Sequence, residues 1–189
     1  MHSLHLELTH ALGAMLDKID AFLKHGGYLG PPIRMYLAGG MAVHFHCGTR
    51  YTEDVDASFS ARILFPADNL TVDYLREDGT PSTLYFDANY NDGFALMHPD
   101  YKDDAVPWQG IGNENRLVHL YVLNPLDLAV SKITRFGDQD RADIRALGAA
   151  GYFTANELRL RADEAMNYYV GNLDYVRTSI HLICEELDA

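Results

Sequence analysis

Two aspartates, Asp54 and Asp56, stand two residues apart in the run Glu53-Asp54-Val55-Asp56-Ala57-Ser58-Phe59. In a strand that spacing sends both side chains to one face, about 7 Å apart. Carboxylates that close repel each other unless a divalent cation neutralises them or solvent screens them. The alternation of Val55, Ala57 and Phe59 with Asp54, Asp56, Ser58 and Ser60 predicts a half-buried strand from Asp54 to Ser60. Upstream, Tyr36-Leu37-Ala38-Gly39-Gly40-Met41 sets two glycines between a short strand and a helix over Met41 to Cys47. Glycine there permits close backbone approach and leaves N–H groups free to meet an anion. Carboxylates for metal beside an amide cradle for phosphate are the parts that phosphoryl or nucleotidyl transfer needs.

A two-metal site needs more oxygen ligands than one Asp-x-Asp pair supplies, so a third carboxylate is expected on a neighbouring strand. In Leu84-Tyr85-Phe86-Asp87 the alternation puts Tyr85 and Asp87 on the face opposite Leu84 and Phe86, repeating the first strand's pattern. Asp87 is therefore the third ligand expected for Mg²⁺, with Asp73 as its nearest rival.

In their order and spacing these residues resemble the nucleotidyltransferase superfamily of polymerase-beta-like fold. The likeness is greatest to the small bacterial branch that includes abortive-infection (AbiEii-type) toxins. It is carried by Gly39-Gly40, by Arg50-Tyr51-Thr52-Glu53-Asp54-Val55-Asp56, by the later Asp87, and by Pro125-Leu126-Asp127-Leu128 leading to Lys132. The resemblance implies an α/β (α+β) fold, a mixed sheet with flanking helices and a helical C-terminal region. It also implies two Mg²⁺ ions and transfer of a nucleoside monophosphate from an NTP to an acceptor hydroxyl, with release of pyrophosphate. On that pattern Asp54, Asp56 and Asp87 are catalytic and hold the metal. Gly39, Gly40, Arg50, Thr52, Lys132 and Arg135 are the nucleotide-binding set, Lys132 meeting the triphosphate. The toxin branch implies RNA such as tRNA as acceptor and an antitoxin protein as partner. One departure concerns phosphate: many members carry serine after the first glycine, whereas this chain has Gly40 and Met41, leaving backbone amides to do the holding.

These residues need elements to position them. Apolar residues from Leu4 to Leu23 recur at helical spacing, and Gly26-Gly27 stops that helix. Leu70–Arg76 and Ser82–Ala88 flank Glu77-Asp78-Gly79-Thr80-Pro81, a hairpin signal. Leu117–Leu123 reads as a further strand. Asn124 as cap and Pro125 at the first position open a helix expected to run to about Phe136, with Lys132 and Arg135 on its exposed flank. Asp140–Leu147, a helix opened by the capping box Thr154-x-x-Glu157, and one capped by Asn172 follow. The expected division is a nucleotidyltransferase core over 1–123 and a helical region over 124–189.

Composition sets the limits. A chain of 189 residues, 48% hydrophobic and 22% charged, is folded and long enough for one sizeable core. Its net charge of −12 opposes broad contact with nucleic acid or anionic membrane. Cys47 and Cys184 lie far apart without CxxC spacing, so neither a disulfide framework nor a zinc site is expected. With neither a signal-like start nor a spanning apolar run, the expectation is a cytoplasmic protein without membrane contact. His44 and His46 read as one packed and one exposed histidine, His98 and Trp108 as packing residues, and Asp140 and Asp143 as helix-start residues. Two other functions fit the same residues: a non-catalytic module of this fold that binds nucleotide or a partner, and a nucleotidyltransferase acting on a small cationic acceptor.

Overall fold

The computed structural model describes residues 6–48, 50–64 and 70–189. The architecture is mixed α/β, with seven strands in two mixed sheets and six α-helices among the described residues. The chain divides into two compact units, one of Met1–Tyr90 with Val106–Val122, the other of Asn91–Ala105 with Leu123–Ala189.

The first unit opens with α1 (Leu6–His25), whose stripe Leu8, Ala11, Leu12, Met15, Leu16, Ile19 and Leu23 is buried. Each such leucine or isoleucine contributes about 1.5–3 kcal/mol on burial. Leu4, the expected start of this helix, lies outside the described residues. Strands β1 (Ile33–Leu37), β3 (Ala57–Phe59), β6 (Val106–Pro107) and β7 (Val118–Val122) form one sheet in the order β3-β1-β7-β6. β2 (Asp54–Val55), β4 (Thr71–Leu75) and β5 (Pro81–Phe86) form the other, in the order β2-β5-β4. The β4–β5 hairpin turns at Asp78-Gly79 as its sequence requires, with the Asp78 carboxylate accepting from the Thr80 N–H at 2.9 Å and from the Thr80 hydroxyl at 2.6 Å.

The single strand expected over Asp54–Ser60 is broken at Asp56. Val55 pairs with Phe86 in one sheet, whereas Ala57 pairs with Leu37 in the other. Period-two alternation describes each piece but carries no information about which neighbour each piece joins.

The second unit holds α3 (Pro125–Ser131), α4 (Asp138–Ala149), α5 (Ala155–Met166) and α6 (Leu173–Asp188); α3, α5 and α6 carry the caps expected of them, whereas α4, expected over Asp140–Leu147, starts two residues earlier behind Gly137. Asn124 accepts from the Asp127 N–H at 2.9 Å, Thr154 and Glu157 make a reciprocal box, and Asn172 accepts from the Tyr175 N–H at 3.1 Å. Arg161 ties α5 to α3 through two 2.8 Å bonds to Asp127.

The helix expected to reach Phe136 ends at Ser131. The Ser131 hydroxyl donates back to the Leu128 carbonyl at 2.7 Å, and the N–H groups of Lys132 and Ile133 donate to the carbonyls of Ala129 and Val130. The last turn therefore tightens and the chain leaves through Phe136 at φ 47°. Among the described residues no helix is long and apolar enough to cross a membrane.

Candidate active site

The site assembles at the C-terminal end of β1. After Leu37 the chain enters α2 (Gly39–Cys47) directly, Ala38 capping it without any side-chain hydrogen bond. Ala38 donates its N–H to the Asp56 carbonyl at 2.8 Å, which places Asp56 beside the helix's first turn. Gly39 has φ 57°, and a Cβ added to it would fall 1.7 Å from Asp56 Oδ2. Glycine is thus required twice over at position 39, by its backbone and by the carboxylate seated against it. The first turn's positive dipole end stabilises that carboxylate's charge.

Gly40 serves the next pair. A Cβ there would stand 3.0 Å from Arg50 Cζ and Nε and 3.2 Å from Thr52 Cβ. Gly48, at φ 66°, closes α2 with its N–H on the His44 carbonyl and reverses the chain. Arg50 and Thr52 then lie back against Gly40. Gly39, Gly40 and Asp56, read from the residues, and Arg50 and Thr52, implied by the resemblance, are gathered in one place.

Asp54 and Asp87 join through the second sheet. β2 runs parallel to β5 with Asp54 opposite Tyr85 and Val55 opposite Phe86. The Asp87 N–H donates to the Val55 carbonyl at 3.1 Å, the closing bond of the Val55–Phe86 pair, so Asp56 and Asp87 are the residues that leave the ladder side by side. Paired residues of a sheet share a face, so Asp54 and Tyr85 stand on one side, and Asp56 and Asp87 each follow the ladder's last pair, Val55–Phe86. Asp87 also accepts from the Asn89 N–H at 2.8 Å, which fixes the turn after β5. The rival Asp73 is on β4, opposite Thr83, whose hydroxyl it accepts at 2.6 Å.

No three His, Cys, Asp or Glu side chains among the described residues are drawn close enough to hold a metal ion. Carboxylate oxygens such as those of Asp54, Asp56 and Asp87, on and directly after the paired segments β2 and β5, are the donor type that a hard divalent cation takes. A hollow of about 550 Å³ opens beside Asp87, bounded in part by Ser58, Phe59, Arg62, Phe86 and Tyr90. That is the size of a small-molecule pocket.

Sequence reasoning passed over Glu53. Its carboxylate accepts from the Tyr85 hydroxyl at 2.9 Å, from Arg76 Nη2 at 2.8 Å and from the Ser82 hydroxyl at 3.2 Å. The Tyr85 and Ser82 hydroxyls, with Arg76, hold the Glu53 carboxyl below the usual range, and Glu53 in turn pushes the Tyr85 phenol up. A lone glutamate between better-known motif positions gives no periodic signal.

Lys132 and Arg135 belong to the second unit. Lys132 was expected on an exposed flank, yet it is buried, its ammonium 2.8 Å from Asp143 and 3.8 Å from Asp140. The helix ends before it, so the helical projection that put it outside does not apply. Arg135 is exposed and grips Asp140 with two bonds of 2.7 and 2.6 Å. Asp140 does serve the start of α4, accepting from the Gly137 N–H at 3.1 Å, whereas Asp143 serves Lys132. His44 and His46 are both buried, correcting the expectation of one exposed histidine. His98 is buried with Nε2 3.2 Å from Glu164, and Trp108 is buried with its ring 4.5 Å from that of Phe45.

A family model described as nucleotidyltransferase of unknown function (DUF6036) matches residues 14–181 of the chain. No curated protein matches it.

Proposed function

The chain belongs to this family of nucleotidyltransferases, and we propose that it moves a nucleoside monophosphate from an NTP to an acceptor hydroxyl at the face that carries Asp54, Asp56 and Asp87. The observation that carries this reading is the Asp56 carboxylate seated against Gly39 at the start of α2. A glycine with positive φ, a helix N-terminus without a side-chain cap hydrogen bond and a carboxylate meet at one spot.

Asp54, Asp56 and Asp87 would hold Mg²⁺. When bound, the metal neutralises triphosphate charge and favours the acceptor's alkoxide. The chain's own groups do the rest. The first N–H groups of α2 cradle phosphate oxygens, and Arg50, packed against Gly40, supplies the nearest cation of the motif. Asp87, at the edge of the hollow, takes the proton of the acceptor hydroxyl as general base. The Lys132 ammonium is committed to two carboxylates, so phosphate can engage it only by breaking that cluster.

Two acceptors have support. The likeness of Arg50–Asp56 and Pro125–Lys132 to the abortive-infection branch supports RNA, with an antitoxin as partner. The net charge of −12 supports a small cationic acceptor instead, since phosphodiester binding relies on cations. A crystal structure with a non-hydrolysable NTP and Mg²⁺ tests the reading. Metal and triphosphate density between the three aspartates and Gly39 is expected, and an NTP bound elsewhere with those carboxylates bare would overturn it.

A further inference from the structure

β2 presents a physical problem. It is two residues long and pairs with β5 alone, since it lies at the edge of its sheet. So short a ladder does little to fix its own register. Register matters here because a slip of one residue turns every side chain to the opposite face. A slipped β2 would turn Val55 to the face where Asp54 now stands opposite Tyr85 and would re-aim Asp56 behind it.

Glu53 immediately precedes β2 and bonds to the hairpin at both its main chain and its side chain. Its carbonyl accepts from the Tyr85 N–H at 2.8 Å. Oε1 accepts from Arg76 and Ser82, and Oε2 from the Tyr85 hydroxyl. Arg76 closes β4 and Ser82 and Tyr85 belong to β5, so one carboxylate is held by both strands of the hairpin. Arg76 is itself steadied by the Tyr51 ring, 5.3 Å from its guanidinium, and by its N–H bond to the Thr80 carbonyl at 2.9 Å. The carboxylate's three charge-assisted bonds add directional side-chain hold to the few main-chain bonds of this short ladder.

We infer that Glu53 is a positioning residue: its clamp on Arg76, Ser82 and Tyr85 sets the register that brings Asp54 and Asp56 onto the face of Asp87. This inference rests on the carboxylate face being the metal site proposed above. Glu53 itself has no ligand to hold, because its oxygens are spent on the hairpin. Its role is exerted through β2.

The test uses the full chain with Mn²⁺ as the probe, read by electron paramagnetic resonance, and amide hydrogen exchange at Tyr85 and Asp87 without metal. Glu53→Ala is expected to speed exchange at both amides and to weaken Mn²⁺ binding roughly 10- to 100-fold, the usual effect of losing a partner behind the ligands. Glu53→Gln removes the charge but keeps an acceptor for Tyr85 or Arg76, and it should restore most of the affinity. Asp73→Asn, which removes a carboxylate from the same face, should leave both readings as in wild type. Equal losses in Glu53→Gln and Glu53→Ala would show a charge effect only and overturn the inference. Unchanged exchange in Glu53→Ala would overturn it as well. A wild-type chain that binds no Mn²⁺, with exchange still accelerated in Glu53→Ala, would uphold the clamp and sink the metal site, so the two failures are distinct.

Discussion

Asp56 Oδ2 occupies the space that a side chain at Gly39 would need: a Cβ built there lies 1.7 Å from it. The two residues are 17 positions apart, yet no side chain can be added at position 39 without moving Asp56. The contact joins the two halves of the proposed chemistry, since Gly39 begins the helix that would hold phosphate and Asp56 is a carboxylate that would hold metal.

Gly39→Ala is accordingly the most damaging single-methyl change in the first unit. Positive φ alone costs an L-residue about 1–2 kcal/mol, and displacement of Asp56 adds to it. Gly40→Ala should be milder, because the nearest atoms belong to the movable end of Arg50. Urea unfolding of both variants gives the comparison, and a Gly39→Ala protein as stable as wild type would contradict the contact.

Asp87→Asn should reduce nucleotidyl transfer far more than Asp73→Asn, although one carboxylate directly follows β5 and the other lies on its partner β4. Asp87 bonds to Val55, the residue before Asp56, where the β2–β5 ladder ends, whereas Asp73 accepts across the β4–β5 ladder from Thr83. Initial rates with saturating NTP and Mg²⁺ decide between them, and equal losses would remove Asp87 from its assigned role.

Lys132→Ala leaves Asp143 buried without its closest cation. Breaking a buried pair by removing one partner costs about 3–5 kcal/mol, so the variant should unfold at clearly lower urea concentration. If Lys132→Ala retained full stability and lost only NTP affinity, the buried pairing would be refuted.

Acid sensitivity should be traceable to Asp140. Burial acts to raise its carboxyl, but the Arg135 guanidinium, Lys132 and the Gly137 N–H outweigh burial and hold it below its ordinary value of 3.8. A depressed carboxylate stabilises the fold above its unfolded pKa, and that contribution is lost as pH falls through the folded value. Stability measured from pH 5 downward should therefore fall from about pH 4, and Arg135→Gln should flatten that limb. An unchanged acid limb in Arg135→Gln would contradict the pairing.

Much of this was legible in the sequence, for identifiable reasons. Caps at Asn124, Thr154 and Asn172 and the Asp78-Gly79 turn depend on interactions within a few residues, and all formed as read. Gly39, Gly40 and Asp56 could be grouped from residue type and spacing, whereas Arg50 and Thr52 joined them through the resemblance to the family's motif. What could not be read was long-range pairing. The division of Asp54–Phe59 between two sheets depends on which neighbours β1 and β5 offer. The burial of Lys132 depends on Asp143, eleven residues away on another helix. Glu53 takes its partners from residues 23 to 32 positions further along, beyond any local pattern.

The most direct measurement is transfer of label from an α-phosphate-labelled NTP, with Mg²⁺, to total RNA and separately to a panel of hydroxyl-bearing cationic small molecules, by wild type and by Asp56→Asn. Wild type is predicted to label one acceptor class in a reaction abolished by chelator and by the single change at Asp56. Label transfer that persists undiminished in Asp56→Asn, or none by wild type with any NTP and either acceptor class, would contradict the assignment.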